Sequence, residues 1–246
     1  MCAISTAPSA GAYSVRVATA LVIGASSGIG EAVARRLVAA GWTVVGVARR
    51  EAAIEGAGYH HVIADVRAAD YRDALVGVVE RFGTPEVCVY AAGIGVVLEV
   101  GEMAREAEVF ATNLVGAVVT AEVVVPRMVA RGAGHFVGLS SQADRLIASE
   151  TPSYSASKAG MSSYLEGLGL ACRPHGVAVT NVRFGFVDTA MSRDQGIRPF
   201  LISAERAAVV VERCLARRPI RCTYPWRMAA LVWLVGLGRR LRVWLS

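Results

Sequence analysis

The chain has 246 residues, of which 54% are hydrophobic, 19% charged and 7% aromatic. This composition excludes a disordered chain, a collagen and a small disulfide scaffold, and the length fits one large α/β domain. The five cysteines are an odd number without a C-x-x-C pair, which favours a reduced cytoplasmic location and argues against zinc. We therefore expect one domain over residues 1–246, with no metal.

The net charge of +6 is concentrated at the C-terminal end of the chain. Residues 213–246 carry eight arginines and no acidic residue, which leaves a charge of −2 on residues 1–212. A basic groove for nucleic acid is therefore not supported. The longest uncharged apolar run, residues 228–238, has 11 residues. That is well short of the roughly 20 that a transmembrane helix needs.

Short apolar runs alternate with longer amphipathic stretches along the chain. The sequence predicts strands at residues 18–23, 42–48, 61–64, 87–91, 134–139 and 177–182. Helices are predicted at residues 28–40, 70–82, 103–125 and 153–173. Strands that are apolar on both faces and alternate with helices predict a parallel sheet covered on both sides. The expected fold is doubly wound α/β.

A glycine-rich turn joins the first predicted strand to the first predicted helix. Its residues are Gly24, Ser26, Ser27, Gly28, Ile29 and Gly30, in the pattern G-x-x-x-G-x-G. Glycines let a phosphate approach the backbone, and the helix N-terminus offers unpaired N–H groups. The same segment matches the nucleophile elbow of serine hydrolases, with Ser26 as nucleophile. That elbow normally follows several strands, so phosphate binding is favoured, while a purely structural turn remains open.

A tyrosine and the chain's single lysine lie four residues apart, as Tyr154 and Lys158. On a helix this spacing puts both side chains on one face. A nearby ammonium lowers the pKa of a tyrosine from about 10, which makes the pair a candidate general acid and base. A solvated helix face is the alternative. Ser155 and Lys158 also match the acylating motif S-x-x-K, but a chain with one lysine lacks the K-T-G element of that class.

Taken together, residues 18–190 resemble the short-chain dehydrogenase/reductase family of NAD(P)-dependent oxidoreductases, which have a Rossmann fold. The motifs occur in the family's order: the glycine turn, Asp65-Val66, Ala92-Gly93, Asn113, Ser140-Ser141, Tyr154-x-x-x-Lys158 and Gly185-Phe-Val187-Asp-Thr189. The resemblance implies that the cofactor contacts the six named residues of the glycine turn. It also implies contacts with Asp65, Val66, Ala92, Gly93, Tyr154, Lys158, Gly185, Val187 and Thr189. Four residues depart from the family pattern, namely Ile23, Tyr90, Ala91 and Phe184.

The resemblance also implies a catalytic group made of Asn113, Ser141, Tyr154 and Lys158. Ser141 is preferred to Ser140 because it precedes Tyr154 by 13 positions, as in the family. In this mechanism Ser141 holds the substrate oxygen and Tyr154 transfers a proton to or from it. Lys158 lowers the tyrosine pKa and binds the nicotinamide ribose, while Asn113 anchors a water that relays protons.

The residues at the end of the second predicted strand indicate whether NADP(H) or NAD(H) is preferred. An acidic residue there would bind a ribose 2′-hydroxyl, whereas an arginine would attract a 2′-phosphate. The sequence has Arg49 and Arg50 at this point, with no acid before Glu51. It therefore favours NADP(H) over NAD(H), unless both arginines face water and Glu51 turns inward.

Two further segments concern the substrate and partners. Residues 188–203 stand where the family has a substrate-covering loop, and their apolar side chains would either cap a hydrophobic carbonyl or alcohol or pack on the protein itself. The C-terminal extension, residues 213–246, combines three tryptophans with arginines. It can lie in a membrane interface, cover the pocket or pack on a neighbouring subunit. By resemblance we expect a homodimer or homotetramer.

The sequence thus predicts an NADP(H)-dependent carbonyl reductase or alcohol dehydrogenase. Two alternatives remain, a non-catalytic regulatory protein that binds NADP(H) and, with less support, a serine hydrolase that uses Ser26.

Overall fold

The computed structural model describes residues 18–193 and 196–245. Its strands are β1 (Thr19–Ile23), β2 (Thr43–Ala48), β3 (Tyr59–Ile63), β4 (Val87–Tyr90), β5 (Gly134–Ser141), β6 (Val177–Phe184), β7 (Val187–Asp188), β8 (Ile202–Ser203) and β9 (Arg221–Tyr224). Its α-helices are α1 (Gly28–Ala39), α2 (Tyr71–Phe82), α3 (Glu106–Phe110), α4 (Gly116–Arg131), α5 (Pro152–Cys172), α6 (Ala204–Arg217) and α7 (Trp226–Leu245). These elements confirm the predicted doubly wound α/β fold.

The main sheet has seven strands in the order β3-β2-β1-β4-β5-β6-β9, and all of its pairings are parallel. The strand order reverses between β1 and β4. In open sheets of this kind, ligands bind at the carboxyl ends of the strands beside that reversal. The topology therefore fixes where a site is expected before any side chain is considered.

Two hydrophobic layers cover the sheet, one on each face. One layer joins the sheet to α2, α4 and α5 through residues such as Leu75, Val124 and Leu165. The other joins it to α1 and α6 through residues such as Val33 and Val211. The two layers explain why the central strands are apolar at successive positions rather than alternating.

The helix predicted at residues 103–125 is interrupted in the structure. A turn of π-helix, Ala111–Val115, separates α3 from α4, and Met103 and Arg105 precede α3 with positive φ angles of 49° and 67°. The sequence pattern could not show this, because the apolar periodicity of the segment changes little when one turn widens. Such wide turns often accompany functional positions, and this one carries Asn113.

Five elements, β7, β8, β9, α6 and α7, have no counterpart among the strands and helices predicted from the sequence. Residues 221–224 form an edge strand beside β6 that is partly exposed and reads Arg-Cys-Thr-Tyr, so it lacks an apolar run. The segment treated as an extension, residues 213–246, therefore contains the end of α6 and a strand of the main sheet as well as α7.

Within the part of the chain that the structure describes, one helical stretch is long and apolar enough to cross a membrane, Glu106–Arg131. Slightly more than half of its most apolar window, 56%, is buried inside the protein. Its apolar residues belong to the core layer described above, as expected for the central helix of a globular domain.

Candidate functional site

The residues singled out by the motifs lie along one edge of the sheet. Because the strands are parallel, the segments after β1 to β6 all leave from their carboxyl ends. These segments contain Gly24–Gly30, Arg49 and Arg50, Asp65 and Val66, Ala92 and Gly93, and Gly185–Thr189, and Ser141 is the last residue of β5. The π-helical turn and α5 bring Asn113, Tyr154 and Lys158 to the same region, as the contacts below describe.

The glycine turn requires glycine for close packing. Gly24 has a φ of +86°, and a Cβ built on it would lie 2.6 Å from the backbone nitrogen of Ala92. A Cβ on Gly30 would collide with the carbonyl oxygen of Gly24. Ser27 precedes α1 without a capping hydrogen bond from its side chain, so the first amides of the helix are open to an anion. This cradle fits the pyrophosphate of a dinucleotide.

The segment after β6 touches the glycine turn. A Cβ on Gly28, whose φ is +60°, would lie 3.1 Å from the methyl group of Thr189. Val187 is buried, and the Gly185 N–H donates to the Tyr224 carbonyl at 3.0 Å. Any molecule held by the glycine turn therefore lies beside the residue 185–189 segment.

Charged groups follow β2 and β3. Arg49, Arg50 and Glu51 are exposed, so Glu51 does not turn inward. The Arg50 guanidinium donates to the Ser27 hydroxyl at 3.4 Å, which places a cation beside the glycine turn. Asp65 is ion-paired with Arg67 at 2.8 Å, and the hydrogen bonds from Arg67 hold the pKa of Asp65 below its usual value. A Cβ on Gly116 would lie 3.0 Å from the Val66 side chain, so Val66 is close to the Gly116 backbone.

Asn113 is fully buried in the π-helical turn. Its side-chain amide donates to the Ile94 carbonyl at 2.9 Å and to the Ser157 hydroxyl at 3.0 Å. Its side-chain oxygen accepts the Ile94 N–H at 2.8 Å. A Cβ on Gly93 would lie 3.3 Å from that oxygen and 3.6 Å from the Lys158 ammonium. Asn113 thus joins the segment after β4 to α5.

The two serines at the end of β5 have different partners. The Ser141 hydroxyl lowers the pKa of the Tyr154 phenol. The Ser141 hydroxyl also accepts the Ala143 N–H at 3.1 Å. Ser140 instead donates to the Lys158 carbonyl at 3.1 Å and lies 2.8 Å from the Ser162 hydroxyl. Of the two, Ser141 is therefore the one placed to act together with Tyr154.

Tyr154 and Lys158 share one face of α5, one turn apart. The Lys158 ammonium lies 5.9 Å from the centre of the Tyr154 ring and donates to the Leu139 carbonyl at 2.8 Å. Only 4% of Lys158 is exposed. The solvated helix face, considered above as the alternative, is excluded for this pair.

The protonation of the pair differs from the sequence expectation in one respect. Burial raises the pKa of Tyr154, and the hydrogen bond with Ser141 opposes that rise. Burial lowers the pKa of Lys158 to about 8. The sequence predicts that the ammonium lowers the tyrosine pKa, but in the structure the ammonium donates to the Leu139 carbonyl. The structure therefore holds a protonated phenol beside an ammonium that loses its proton easily.

A buried ion pair near the site was missed. Asp144 accepts hydrogen bonds from Arg183 at 2.5 Å and from Ser162 at 2.6 Å, and both charged side chains are almost inaccessible, at 5% and 6% exposed. Together with Ser140 they tie the turn after β5 to α5 and β6. An arginine within a buried apolar strand signals a buried partner, but one sequence does not show which acid it is.

Tyr90 explains one departure from the family pattern. The fully buried phenol donates to the Thr112 carbonyl at 2.5 Å, within the π-helical turn. It thereby braces the segment that carries Asn113, where the family usually has an asparagine in the position of Tyr90.

The hydrolase alternatives find no support in the described residues. Among residues 18–193 and 196–245, no hydrogen bond joins Ser26 to a histidine. His61 is bonded to Tyr59 at 2.8 Å, and His135 to Thr180 at 2.8 Å. The Ser155 hydroxyl donates to the carbonyl of Pro152 in its own helix, at 3.1 Å.

Comparison with known proteins gives a consistent result. The family model described as "short chain dehydrogenase" matches residues 18–198. A Myxococcus xanthus protein named "Uncharacterized oxidoreductase" is 32% identical, over 86% of this chain and 88% of its own length. A Streptomyces coelicolor protein named "Putative ketoacyl reductase" is 36% identical, over 89% of this chain and 90% of its own length.

Solved structures agree with these matches. A short-chain dehydrogenase from Streptomyces avermitilis has a TM-score of 0.77 and 26% identity, covering 93% of this chain and 95% of its own. A variant of actinorhodin polyketide ketoreductase, solved with NADPH, has a TM-score of 0.74 and 27% identity, covering 85% of this chain and 95% of its own.

Proposed function

Because the chain belongs to the short-chain dehydrogenase family, we propose that it transfers a hydride between NADP(H) and the carbonyl or secondary alcohol of a hydrophobic substrate. The observation that carries this proposal is the arrangement of Ser141, Tyr154 and Lys158. The serine lowers the pKa of the phenol, and the ammonium lies one helical turn away, beside the segment that packs on the glycine turn.

In the proposed mechanism a bound nicotinamide supplies or accepts the hydride. Ser141 donates a hydrogen bond to the substrate oxygen, and the Tyr154 hydroxyl delivers the proton to that oxygen during reduction. Lys158 binds the nicotinamide ribose and restores the proton on Tyr154. Asn113 holds the backbone of Ile94 and the hydroxyl of Ser157 in place, and we assign it the water that connects Lys158 to solvent.

The protonation of the site supports reduction as the favoured direction near neutral pH. A carbonyl needs a proton donor, and burial raises the pKa of Tyr154 so that its phenol keeps its proton. Oxidation of an alcohol needs the phenolate. We therefore expect alcohol oxidation to increase at alkaline pH and carbonyl reduction to decrease there.

The preference for NADP(H) is supported by Arg49 and Arg50, which are exposed beside the glycine turn. Replacing both with glutamine should lower the ratio of kcat/KM for NADPH to that for NADH by about tenfold or more, because the 2′-phosphate loses its cations. The exposed pair Arg81 and Arg213 is the control, and R81Q/R213Q should leave the ratio unchanged. A ratio that does not move in R49Q/R50Q would contradict this assignment.

A hydrophobic substrate is supported by the loop between β7 and β8. Ile197, Phe200 and Leu201 in this loop are all exposed, so the alternative that they pack on the protein itself is not supported by these side chains. A relative named for ketoacyl reduction suggests β-keto acyl thioesters as the first substrates to test. A homodimer or homotetramer is supported by exposed apolar residues such as Val115 and Leu170 on the helical segments that the family pairs across subunits.

The proposal is tested by adding NADPH or NADH and a panel of ketones, aldehydes and β-keto acyl thioesters, and following the loss of reduced nicotinamide absorbance. We expect turnover with NADPH on at least one hydrophobic carbonyl. Tight NADPH binding without turnover on any member of a broad panel would favour the regulatory alternative instead. Absence of dinucleotide binding would reject both.

A further inference from the structure

The outer face of α7 is an apolar surface that residues 18–193 and 196–245 leave uncovered. Its residues follow the helical repeat along the whole element, and they are Trp226, Trp233, Leu234, Leu237, Leu241 and Trp244. We call this set the outer stripe. Each of its side chains is between 50% and 82% exposed. An apolar stripe of this length on a solvent-exposed surface indicates a binding face.

The opposite face of α7 is already attached to the protein. Met228 and Val232 are buried, at 9% and 3% exposed. A Cβ on Gly236 would lie 3.2 Å from the Arg145 carbonyl oxygen, and one on Gly185 would lie 3.0 Å from Met228. The helix is therefore docked through one face, and the outer stripe lies on the other face.

The charge around the outer stripe identifies its partner. Residues 213–246 carry eight arginines and no acid, although the preceding 212 residues are slightly negative. Four of these arginines, Arg227, Arg239, Arg240 and Arg242, belong to the sequence of α7 itself. A second copy packed on the stripe about a two-fold axis would bring arginine-rich helices together. An anionic lipid surface offers the opposite charge.

The dimensions of α7 fit a helix that lies on a membrane and do not fit one that spans it. The helix has 20 residues, so its length is about 30 Å, but its uncharged run covers only 11 residues. Tryptophans and leucines along one face of an arginine-rich helix are the pattern of interfacial helices. We propose that α7 attaches this protein to the surface of an anionic lipid bilayer, with the outer stripe inserted in the plane of the headgroups.

The test is flotation of the full-length protein with vesicles of phosphatidylcholine containing about one third phosphatidylglycerol, and with vesicles of phosphatidylcholine alone. We expect binding to the anionic vesicles that weakens by about tenfold or more in high salt or without phosphatidylglycerol. Three of the four tryptophans lie in α7, so their fluorescence should also shift to shorter wavelength on binding.

Two variants assign the binding to α7. W233E/L237E places charges in the outer stripe, and R239Q/R240Q removes two cations from α7. Each should weaken binding by about tenfold or more. R213Q/R217Q removes the same number of cations from α6 and should have a smaller effect. Circular dichroism and thermal unfolding establish that the variants are folded.

Three outcomes would overturn the proposal. The first is a wild-type protein that does not float with anionic vesicles. The second is W233E/L237E that floats as well as the wild type. The third is a protein that does not bind lipid and whose molar mass, measured by light scattering, falls when W233E/L237E is introduced. The outer stripe would then be a subunit interface. None of these results depends on oxidoreductase activity.

Discussion

Among the described residues, the two longest α-helices, α5 and α7, invert the usual relation between polarity and burial. α5 has 21 residues and buries five polar side chains, Ser153, Ser155, Ser157, Lys158 and Ser162. α7 has 20 residues and exposes most of its large apolar side chains. Ordinary helices place the two kinds of residue the other way round. A helix that buries its apolar residues and exposes its polar ones stabilises the fold, so a helix that breaks this pattern indicates a requirement other than stability. We assign that requirement to catalysis in α5 and to surface attachment in α7.

The largest expected effect concerns the buried polar face of α5. Replacing Tyr154 by Phe removes the hydroxyl whose pKa Ser141 lowers, and should lower kcat for carbonyl reduction by about a thousandfold because the proton donor is lost. The dissociation constant for NADPH should stay within about threefold, since the ring remains. Steady-state kinetics and cofactor fluorescence titration measure the two quantities.

Tyr164 is the matched control, because it lies on the same helix, is half-buried and is not bonded to Ser141. Tyr164→Phe should keep a rate close to that of the wild type. If Y154F and Y164F had similar rates, the polar face of α5 would have a structural role, and its buried polar residues could not be attributed to catalysis.

A second effect comes from the buried ammonium. Burial lowers the pKa of Lys158 from 10.5 to about 8, so between those pH values the unfolded chain binds more protons than the folded one. Stability from this group therefore rises with pH, by about 2 kcal/mol from pH 7 to pH 9.5. Urea unfolding of wild type and K158M at both pH values measures it. The difference in free energy of unfolding should change by that amount, and an unchanged difference would show that the ammonium is solvated.

The smallest effect separates the two faces of α7. Val232 and Trp233 are neighbours, but they are 3% and 58% exposed. Val232→Ala should lower the free energy of unfolding by about 1 to 2 kcal/mol because it leaves a cavity. Trp233→Ala should change it by less than about 0.5 kcal/mol, although it removes a larger side chain. A larger loss from W233A in thermal or urea unfolding would mean that the outer stripe packs against protein.

Much of the fold could be predicted from sequence because its central strands are apolar on both faces and separated by amphipathic helices. The six predicted strands are present, and each of their ends lies within two residues of its predicted position. Of the three strands that were not predicted, β9 belongs to the main sheet; it lies at the sheet edge and contains Arg221, Thr223 and Tyr224, so no apolar run marks it. Edge position, rather than propensity, decides its pairing with β6.

The candidate site was predictable in its composition but not in its connections. Spacing alone identified Tyr154 and Lys158 as neighbours on a helix, and the structure places them so. The direction of the tyrosine pKa was wrong, since spacing does not report desolvation. The ion pair of Asp144 with Arg183 joins residues 39 positions apart, and only the folded chain shows which charges meet.

The short sheet of β7 and β8 has an evolutionary consequence. Val187 pairs with Ile202 and Asp188 with Ser203, so the two ends of the intervening segment lie side by side. Insertions or exchanges within residues 190–201 need not disturb Ser141, Tyr154 or Lys158, which other elements hold. The recognition of new molecules can therefore diverge in this segment while the reaction itself is inherited unchanged.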